Sequence, residues 1–214
     1  MNDTKKTGVT PNANRFYHFI KRLADIVISF LGLIILSPAF LIIALAIVIE
    51  DPGPAFFSQK RAGLKNKTFT MYKFRSMIKD APDLREKMEV YNELDGPAFK
   101  MKDDPRITRV GRFIRRTSLD ELPQLFNVLR GDMSLVGPRP LPTYESEQLN
   151  GYQLQRLLVK PGITCYWQIN GRSDISFDEW MEMDLSYIRS QGLWTDFLIL
   201  ARTFKAVFKA GGAY

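Results

Sequence analysis

Residues 26–49 read IVISFLGLIILSPAFLIIALAIVI, an apolar stretch of 24 positions without a charged side chain. A straight helix of this length can cross the ~30 Å hydrocarbon core of a bilayer, whereas a core helix of a globular protein normally carries a polar face. Pro38 lies near the middle and cannot donate to the carbonyl of Ile34, so the helix must bend or break there. The stretch therefore predicts a membrane-associated helix that is broken at Ser37-Pro38.

Basic residues flank this stretch on both sides. They are Lys5, Lys6, Arg15, Lys21 and Arg22 before it, and Lys60, Arg61, Lys65, Lys67, Lys73 and Arg75 after it. Because basic flanks favour the cytoplasmic side, a re-entrant helix that returns to the face it entered satisfies both ends. A spanning helix with a tolerated proline kink stays open as the alternative. In the re-entrant case the freed carbonyls need partners, and Ser37 could supply one. Asp25 is expected at the interface, paired with Lys21 or Arg22.

Composition narrows the classes of chemistry. The 214 residues suffice for one further domain, and the net charge of +7 favours an anionic partner such as nucleic acid, anionic lipid or a phosphorylated substrate. The single cysteine, Cys165, excludes an internal disulfide, and the single histidine, His18, precedes the apolar stretch. A histidine-based triad and a His/Cys zinc cluster are therefore not expected after residue 50.

The remaining pattern predicts an α+β fold that is predominantly helical with a small β-hairpin. We expect a disordered tail at residues 1–14, a re-entrant membrane helix at 15–50 and a catalytic domain at 51–214 on the cytoplasmic face. Strands at 55–60 and 68–77, joined by a turn-like segment, predict the hairpin. Lys73 on its second arm could contact a phosphate, but a solvated or lipid-facing surface is the favoured interpretation. Residues 193–209 predict an amphipathic helix that lies on the membrane or docks on the core. Its apolar face consists of Trp194, Phe197, Leu198, Ala201, Phe204 and Phe208.

Residues 106–131 read RITRVGRFIRRTSLDELPQLFNVLRG and carry the chemistry. Five arginines lead into Asp120 and Glu121, which lie near the start of a predicted helix. One interpretation is an ordinary capping box, Ser118-x-x-Glu121, with acidic side chains that complement the helix dipole. The upstream pair Asp103-Asp104 could bind a metal, although a turn before Pro105 is the commoner use of such a pair.

The functional interpretation of the same segment is phosphoryl transfer. An arginine-rich wall suits a diphosphate, and helix N-terminal amides add donors for the same anion. A carboxylate held at the helix start is expected to stay ionised near neutral pH, as a nucleophile must. Asp120 could then attack a phosphoryl centre and form an acyl phosphate, which divides one transfer into two steps. Because two anions must meet, a divalent ion such as Mg²⁺ is expected to offset their repulsion.

Several motifs together resemble the bacterial monotopic phosphoglycosyl transferases, also called bacterial sugar transferases. The matching segments are YKFRSM at 72–77, MKDDPRITRVGRFIRRTSLDELPQLFNVLRGDMSLVGPRP at 101–140, KPGITCYWQINGR at 160–172 and FDEWMEMDLSYI at 177–188. The broken helix belongs to the same pattern. The resemblance favours the re-entrant arrangement, and we expect the minimal catalytic form of a family whose larger relatives carry further domains.

The resemblance implies a reaction and a site. Asp120 would take sugar-1-phosphate from a UDP-sugar and release UMP, and undecaprenyl phosphate would then attack the covalent aspartyl-phosphosugar. Glu121 would assist with the metal or with a proton, and Mg²⁺ would lie beside Asp120 and Glu121. The candidate substrate-binding residues are Arg75, Arg112, Arg115, Pro138, Arg139, Pro140, Gln168 and Arg172.

The expected partners are a UDP-sugar donor, undecaprenyl phosphate and membrane lipids, and no nucleic acid, at the cytoplasmic face of a bacterial inner membrane. The sequence leaves open the sugar, for which glucose or galactose is the guess, the polysaccharide pathway and whether the protein forms a homo-oligomer. Two other classes are considered. A membrane-anchored nucleic-acid-binding protein would show salt-sensitive retention on DNA or RNA. In a non-catalytic scaffold, Asp120 and Glu121 would only cap a helix.

Overall fold

The computed structural model describes residues 8–84, 88–92, 97, 101, 103–170 and 175–208. The helices are α1 (Arg15–Ile35), α2 (Ser37–Glu50), α3 (Arg109–Arg116), α4 (Gln124–Arg130), α5 (Thr143–Ser146), α6 (Tyr166–Ile169), α7 (Phe177–Arg189) and α8 (Leu193–Phe208). The strands are β1 (Phe56–Ala62), β2 (Thr68–Phe74), β3 (Ser134–Val136) and β4 (Gly162–Thr164). Short 3₁₀ helices cover Leu64–Asn66, Glu89–Tyr91, Leu119–Glu121 and Gln153–Leu158. The predicted α+β fold with a small hairpin is confirmed.

The apolar stretch forms two helices that meet at a sharp bend. α1 and α2 are inclined by 60° at Leu36, and Pro38 occupies the first turn of α2, where its missing N–H costs no bond. The Ser37 hydroxyl donates to the carbonyl of Ile34 at 2.8 Å, which supplies the partner expected at the break. Among the described helices, none is by itself long and apolar enough to cross a bilayer, whereas the bent pair together has that length and composition.

Polar contacts tie α1 to the rest of the chain, although not through the pairing expected from sequence. Asp25 accepts hydrogen bonds from Ser134 Oγ at 3.1 Å and from the backbone N–H of Leu135 at 2.9 Å. Lys21 instead pairs with Asp196 of α8 at 2.8 Å. The expected pairing of Asp25 with Lys21 or Arg22 is therefore wrong, because β3 satisfies the buried carboxylate and α8 takes the lysine.

Residues 8–14, which precede α1, pack against the rest of the protein. The backbone N–H of Val9 donates to Gln155 Oε1 at 2.6 Å, and the Val9 side chain is buried in the main core. Asn12 donates to the carbonyl of Gln191 at 2.8 Å. Residues 8–14 thus differ from the disordered tail expected for residues 1–14, because Val9 finds an apolar site and the backbone finds partners. Residues 1–7 lie outside the described part of the chain.

β1 and β2 form the predicted antiparallel hairpin, with Phe56 opposite Phe74 and Ala62 opposite Thr68. The second arm ends at Phe74, earlier than predicted, because the backbone then turns and Met77 bridges to Ile107. Asn127 of α4 holds the outer edge of β2, since its side chain accepts from Tyr72 N–H at 3.0 Å and donates to the carbonyl of Thr70 at 2.7 Å. The hairpin is thereby fixed against the helix that follows the acidic pair.

The main core lies between a short parallel sheet and the C-terminal helices. β3 and β4 pair in parallel with Ser134 opposite Gly162 and Val136 opposite Thr164, a pairing that the sequence did not predict. The cluster around them consists of Val9, Phe69, Met71, Val128, Met133, Leu135, Val136, Val159, Leu185, Tyr187, Ile188 and Ile199. This core fixes the ends of β3 and β4, from which the loops that follow them project.

α8 docks through a narrow face and leaves its aromatic face outward. Ile199 is buried in the core, whereas Trp194, Phe197 and Phe204 are 70%, 56% and 69% exposed. The predicted apolar face of this helix is therefore not its docking face. The side chain of Phe208, and Lys209 altogether, lie outside the described part of the chain.

Candidate active site

A cavity of about 500 Å³ opens beside the hairpin, the Leu119–Glu121 turn, the loop after β3 and helix α5. Seven cationic side chains contribute to its wall, namely Arg61, Lys73, Arg75, Lys79, Arg106, Arg115 and Arg139. The carboxylates in the wall are those of Asp120, Glu121 and Glu145. With four more cations than carboxylates among the lining residues, the cavity suits an anionic ligand such as a diphosphate.

The acidic pair lies in a 3₁₀ turn between α3 and α4. Ser118 adopts a left-handed backbone with φ of 57°, and its hydroxyl makes no capping hydrogen bond among the described residues. The capping-box interpretation of Ser118 and Glu121 is therefore wrong. Leu119 and Leu122 pack against the cluster that joins α2 to α3, while Asp120 and Glu121 face the cavity. Apolar residues on either side of the pair thus hold the turn against the bent helix.

Every oxygen of the Glu121 carboxylate is engaged. Oε1 accepts from Lys73 Nζ at 2.8 Å and from Arg139 Nη2 at 2.5 Å. Oε2 accepts from Arg139 Nη1 at 3.3 Å and from Gln168 Nε2 at 3.4 Å. Burial alone would raise the pKa of Glu121, but the charges and hydrogen bonds of Arg139 and Lys73 outweigh it and hold the pKa well below its ordinary value. Glu121 is therefore ionised at neutral pH and held in one orientation.

Asp120 differs from its neighbour in its contacts. Its nearest ion-pair partner among the described residues is Lys73, whose Nζ lies 3.8 Å from Oδ2, beyond hydrogen-bond distance. Burial raises the pKa of Asp120 and the charge of Glu121 adds to this, while Lys73, Arg115 and Arg139 oppose it, with a net upward shift. The carboxylate is thus surrounded by cations without a short bond to any of them, which suits a nucleophile for a bound anion.

The carboxylates of the cavity could supply only some of the ligands that a divalent cation such as Mg²⁺ requires. Within the described ranges, no group of three or more His, Cys, Asp or Glu side chains converges on a common point. Mg²⁺ binds in proteins through one or two carboxylates together with water and substrate phosphates. Asp120 fits that role, whereas Glu121 would first have to give up bonds to Lys73, Arg139 or Gln168. Asp104, the other acidic residue considered for a metal, instead binds Arg106 through two contacts of 2.9 and 2.6 Å.

The structure brings some of the predicted arginines to the cavity and not others. Arg115 lines it, and burial lowers the pKa of Arg115 although the neighbouring carboxylates oppose this effect. Arg112, one turn earlier on α3, is exposed and is not among the lining residues. Arg75 lines the wall but pairs with Asp51 at 2.9 Å, which ties the end of α2 to the hairpin. Arg139 lines the cavity as the partner of Glu121.

The residues around Arg139 position its backbone. Pro138 and Pro140 are buried, and their carbonyls accept from Gly162 N–H at 2.9 Å and from Arg61 Nη1 at 2.8 Å. They hold the loop rather than line the large cavity. Gln168 does line it, through its contact with Glu121. Arg172, also predicted to bind substrate, lies outside the described residues.

Sequence reasoning missed Lys73 as a member of the site. It was expected on a solvated or lipid-facing surface, yet it contacts Glu121 inside the cavity. A signal was present, because residues two apart share a face of a strand and Lys73 has the same parity as the buried Phe69 and Met71. Arg61 was missed as well, and no local pattern marks it.

The chain is similar to known proteins over most of its length. The profile of the family described as bacterial sugar transferase matches residues 16–210. The galactosyl transferase CpsE of Streptococcus agalactiae serotype III is 47% identical over 204 residues, which cover 93% of this chain and 44% of that protein. The UDP-glucose:undecaprenyl-phosphate glucose-1-phosphate transferase of Escherichia coli K12 is 44% identical over 216 residues, 97% of this chain and 42% of that protein.

A third relative is covered more completely. The exopolysaccharide production protein ExoY of Sinorhizobium fredii is 37% identical over 198 residues, which cover 91% of this chain and 88% of that protein. The chain therefore spans less than half of the streptococcal and E. coli proteins and most of ExoY. The site residues Asp120, Glu121 and Arg139 all lie within the region that the family profile matches.

Proposed function

The chain belongs to the bacterial sugar transferase family, and we propose on that premise that it transfers a sugar-1-phosphate from a UDP-sugar to undecaprenyl phosphate. The name of the E. coli relative specifies both substrates, a UDP-sugar donor and an undecaprenyl-phosphate acceptor. The names of the streptococcal protein and ExoY specify galactosyl transfer and exopolysaccharide production. These names support a first step of polysaccharide assembly with a neutral hexose such as glucose or galactose.

The observation that carries this proposal is the contrast between two adjacent carboxylates in one cationic cavity. Glu121 accepts four hydrogen bonds and keeps three cationic or amide groups in place. Asp120, beside it, has its nearest ion-pair partner among the described residues at 3.8 Å and faces the same cavity. A carboxylate that is surrounded by positive charge but not bound to it can approach a phosphate without a large repulsion.

In the proposed first step, an Asp120 oxygen attacks the phosphorus that bears the sugar. A new O–P bond forms, the P–O bond to UMP breaks, and its electron pair leaves with UMP. In the second step, a phosphate oxygen of undecaprenyl phosphate attacks the same phosphorus. The bond to Asp120 breaks, the carboxylate is restored, and the product is an undecaprenyl diphosphosugar. No general base is required at neutral pH, since the second pKa of a phosphate monoester is about 6.

The residues around Asp120 have distinct proposed roles. Arg115 and Lys73 offset the charge of the donor diphosphate. Arg139 orients Glu121, which in turn bonds to Lys73. The lowered pKa of Glu121 makes it a poor proton acceptor, so an electrostatic role suits it better than proton transfer. Mg²⁺ would be held by Asp120 together with the donor phosphates and would supply further charge neutralisation.

The bent helix pair supports a monotopic arrangement, and the basic residues on both sides of it favour the cytoplasmic face of the membrane. Arg22 of α1 donates to the carbonyls of Val128 and Leu129 at the end of α4, at 2.7 and 2.8 Å. At the other end, Glu50 accepts from the backbone N–H groups of Arg109 and Val110 at 2.7 and 2.8 Å. Because both ends contact the catalytic part of the chain, a helix that enters and leaves by one face is favoured over a spanning helix.

The exposed surface agrees with burial of this helix pair in lipid. Ile35, Ile42 and Ile49 are 71%, 67% and 80% exposed, and the outward aromatic face of α8 adds to the apolar surface. Apolar surface of this extent on the outside of a protein marks an interaction with lipid or a partner. We propose that lipid covers it, which brings the cavity to the level at which a polyprenyl phosphate presents its head group.

The test is to measure transfer directly. Detergent-solubilised protein with Mg²⁺ and a panel of UDP-sugars is expected to release UMP, in stoichiometric amount alone and catalytically with undecaprenyl phosphate. Intact-mass measurement should detect a phosphosugar adduct that is lost in Asp120→Asn while the melting temperature is retained. Asp80→Asn, an exposed carboxylate outside the cavity lining, is the control and should behave as the parent. Full turnover by Asp120→Asn would refute the covalent mechanism.

A further inference from the structure

A third carboxylate in the cavity wall has no part in the proposed phosphoryl chemistry. Glu145 lies on α5 and is 6% exposed, and it lines the same cavity as Asp120. Its helix is attached to the hairpin, because Pro142 at its start forms an isolated bridge with Arg61 of β1. The position of Glu145 is therefore fixed by secondary structure and not by a loose loop.

The neighbouring arginine is directed elsewhere. Arg61 donates from Nη1 to the carbonyl of Pro140 at 2.8 Å and from Nη2 to Gln59 Oε1 at 2.7 Å. Burial is the main effect on Arg61 and lowers its pKa to about 10, with Arg139 adding to the decrease and Glu145 opposing it. Arg61 and Glu145 are thus close enough to act on each other, while the hydrogen bonds of the guanidinium hold the backbone after Arg139 and the side chain of Gln59.

The carboxylates of the cavity wall lie near different arginines. The carboxylates that act on the pKa of Arg115 are Asp120, Asp104 and Glu121. Glu145 and the phenol of Tyr144 raise the pKa of Arg61, and Glu121 does so to a smaller extent. The Tyr144 hydroxyl donates to Glu145 Oε1 at 3.2 Å. Arg115 and Asp120 enter the wall from α3 and the turn that follows it, whereas Tyr144 and Glu145 enter it from α5, beside the bridge between Pro142 and β1.

A buried carboxylate in a diphosphate site would repel the ligand if it faced the phosphates. It binds favourably to a neutral group that donates hydrogen bonds, and the neutral donors of a nucleotide sugar are its hydroxyl groups. We propose that Glu145, with Tyr144, forms the hydroxyl-recognition subsite for the uncharged part of the donor. This inference rests on the proposed function, and it makes Glu145 a specificity residue and not a catalytic one.

Two parts of a UDP-sugar carry such hydroxyls, the transferred sugar and the ribose, and binding measurements distinguish them. The measurements use detergent-solubilised Asp120→Asn protein with Mg²⁺, which prevents turnover, and titrate UDP-glucose, UDP-galactose and UMP by calorimetry. The same titrations are repeated after adding Glu145→Gln, which keeps the size of the side chain but replaces an acceptor oxygen with an amide donor. Loss of a hydrogen bond to a charged group predicts an increase in Kd of about 10- to 100-fold.

The pattern of losses identifies the source of the hydroxyls. If Glu145 binds the sugar, Glu145→Gln weakens one or both UDP-hexoses and leaves UMP within about twofold of the parent. If it binds the ribose, UMP and both UDP-hexoses weaken equally, and 2′,3′-dideoxy-UMP binds the parent protein as weakly as UMP binds the variant. Either result supports the subsite. Unchanged Kd values for all three ligands, or tighter binding of any of them, would overturn it.

Controls separate this outcome from misfolding and from failure of the proposed function. Glu147→Gln changes an exposed carboxylate two residues further along and should leave every Kd unchanged. Tyr144→Phe removes the hydroxyl that donates to Glu145 and should weaken the same ligands by about 2- to 10-fold. Melting temperatures report whether each variant folds. If the parent protein binds no UDP-sugar, the proposed function is refuted and the subsite with it. If the parent protein binds UDP-sugars and Glu145→Gln leaves every Kd unchanged, only the subsite is refuted.

Discussion

The ammonium of Lys73 lies 2.8 Å from Oε1 of Glu121, although 48 residues of chain separate them. The same nitrogen is 3.8 Å from Oδ2 of Asp120. A single lysine on the hairpin therefore bonds to one carboxylate of the acidic pair and neutralises the other at a longer distance. This relationship leaves Asp120 without a short bond to the lysine while its charge is partly offset, as the proposed nucleophile requires.

Replacement of Lys73 by Met should lower the rate of adduct formation by about 100-fold or more, since a preorganised charge at a reacting group contributes that much. Burial is the largest influence on the pKa of Asp120 and raises it, and Lys73 lowers it. Loss of Lys73 should therefore raise the pKa of Asp120 further and move the acid limb of the rate profile to higher pH. Single-turnover UMP release from pH 5 to 8 measures both effects.

Lys60→Met is the matched control for that experiment. Lys60 lies on the paired strand, is exposed and donates to Thr70 Oγ1 at 3.0 Å, and it is not among the cavity-lining residues. It should retain the parental rate and pH profile. An acid limb that stays in place in Lys73→Met would contradict the electrostatic role assigned to the lysine.

Arg115 and Arg112 lie one turn apart on α3 and should respond differently to substitution. Arg115 lines the cavity, so Arg115→Gln should raise the KM for the UDP-sugar by about 10- to 100-fold through loss of a charge-assisted bond to phosphate. Arg112→Gln, on the exposed face, should leave KM unchanged. Steady-state UMP release at varied donor concentration measures the difference. Equal effects of the two changes would show that the cavity is not the donor site.

Gly162 is required by the close approach of β4 to the segment after β3. A Cβ at this position would lie 2.1 Å from the backbone N and 2.6 Å from the carbonyl O of Gly137. Because backbone atoms cannot move aside cheaply, Gly162→Ala should destabilise the protein by about 1–3 kcal/mol or more. Gly151→Ala, where a Cβ meets nothing within 4 Å, is the control. Thermal melts of the two variants give the comparison, and equal melting temperatures would contradict the packing described.

The re-entrant arrangement predicts that both ends of the helix pair face the cytoplasm. Ala13→Cys and Lys60→Cys place thiols at exposed positions before and after the pair, and the native Cys165 is buried. A membrane-impermeant maleimide should label both in inside-out vesicles and neither in right-side-out vesicles. Ile35→Cys, at the bend, should react only after detergent is added. Labelling of Ala13→Cys and Lys60→Cys from opposite sides would establish a spanning helix instead.

Elements encoded by neighbouring residues were predicted well from the sequence. The break in the apolar stretch follows from the missing N–H of Pro38, and the Ser37 hydroxyl bonds to the carbonyl of Ile34 as expected. The hairpin was also predicted, because alternation and turn residues act within a few positions of each other. The parallel pairing of β3 and β4 was not, since each has three residues and a partner distant in the chain.

Local patterns were less reliable at the site, where distant groups compete for the same side chain. Ser118 and Glu121 have the spacing of a capping box, yet Glu121 bonds to Lys73 and Arg139. A charged partner in a buried cavity is a stronger hydrogen-bond donor than a backbone amide at a helix start. The capping interpretation failed because the local sequence pattern does not show that Lys73 and Arg139 pack beside Glu121 in the folded chain.

The sequence by itself determined the apolar helical stretch, its break, the hairpin and the motif that marks Asp120 and Glu121, because each depends on covalent geometry or on residues a few positions apart. Only the tertiary structure decided which cations surround the acidic pair: Lys73, Arg115 and Arg139 reach the cavity, and Arg112 does not. The physical reason is that a side chain reaches only a few ångströms from its backbone. Its partners are therefore set by how the hairpin, α3 and the loop after β3 pack together, and charge patterns along the chain do not encode that packing.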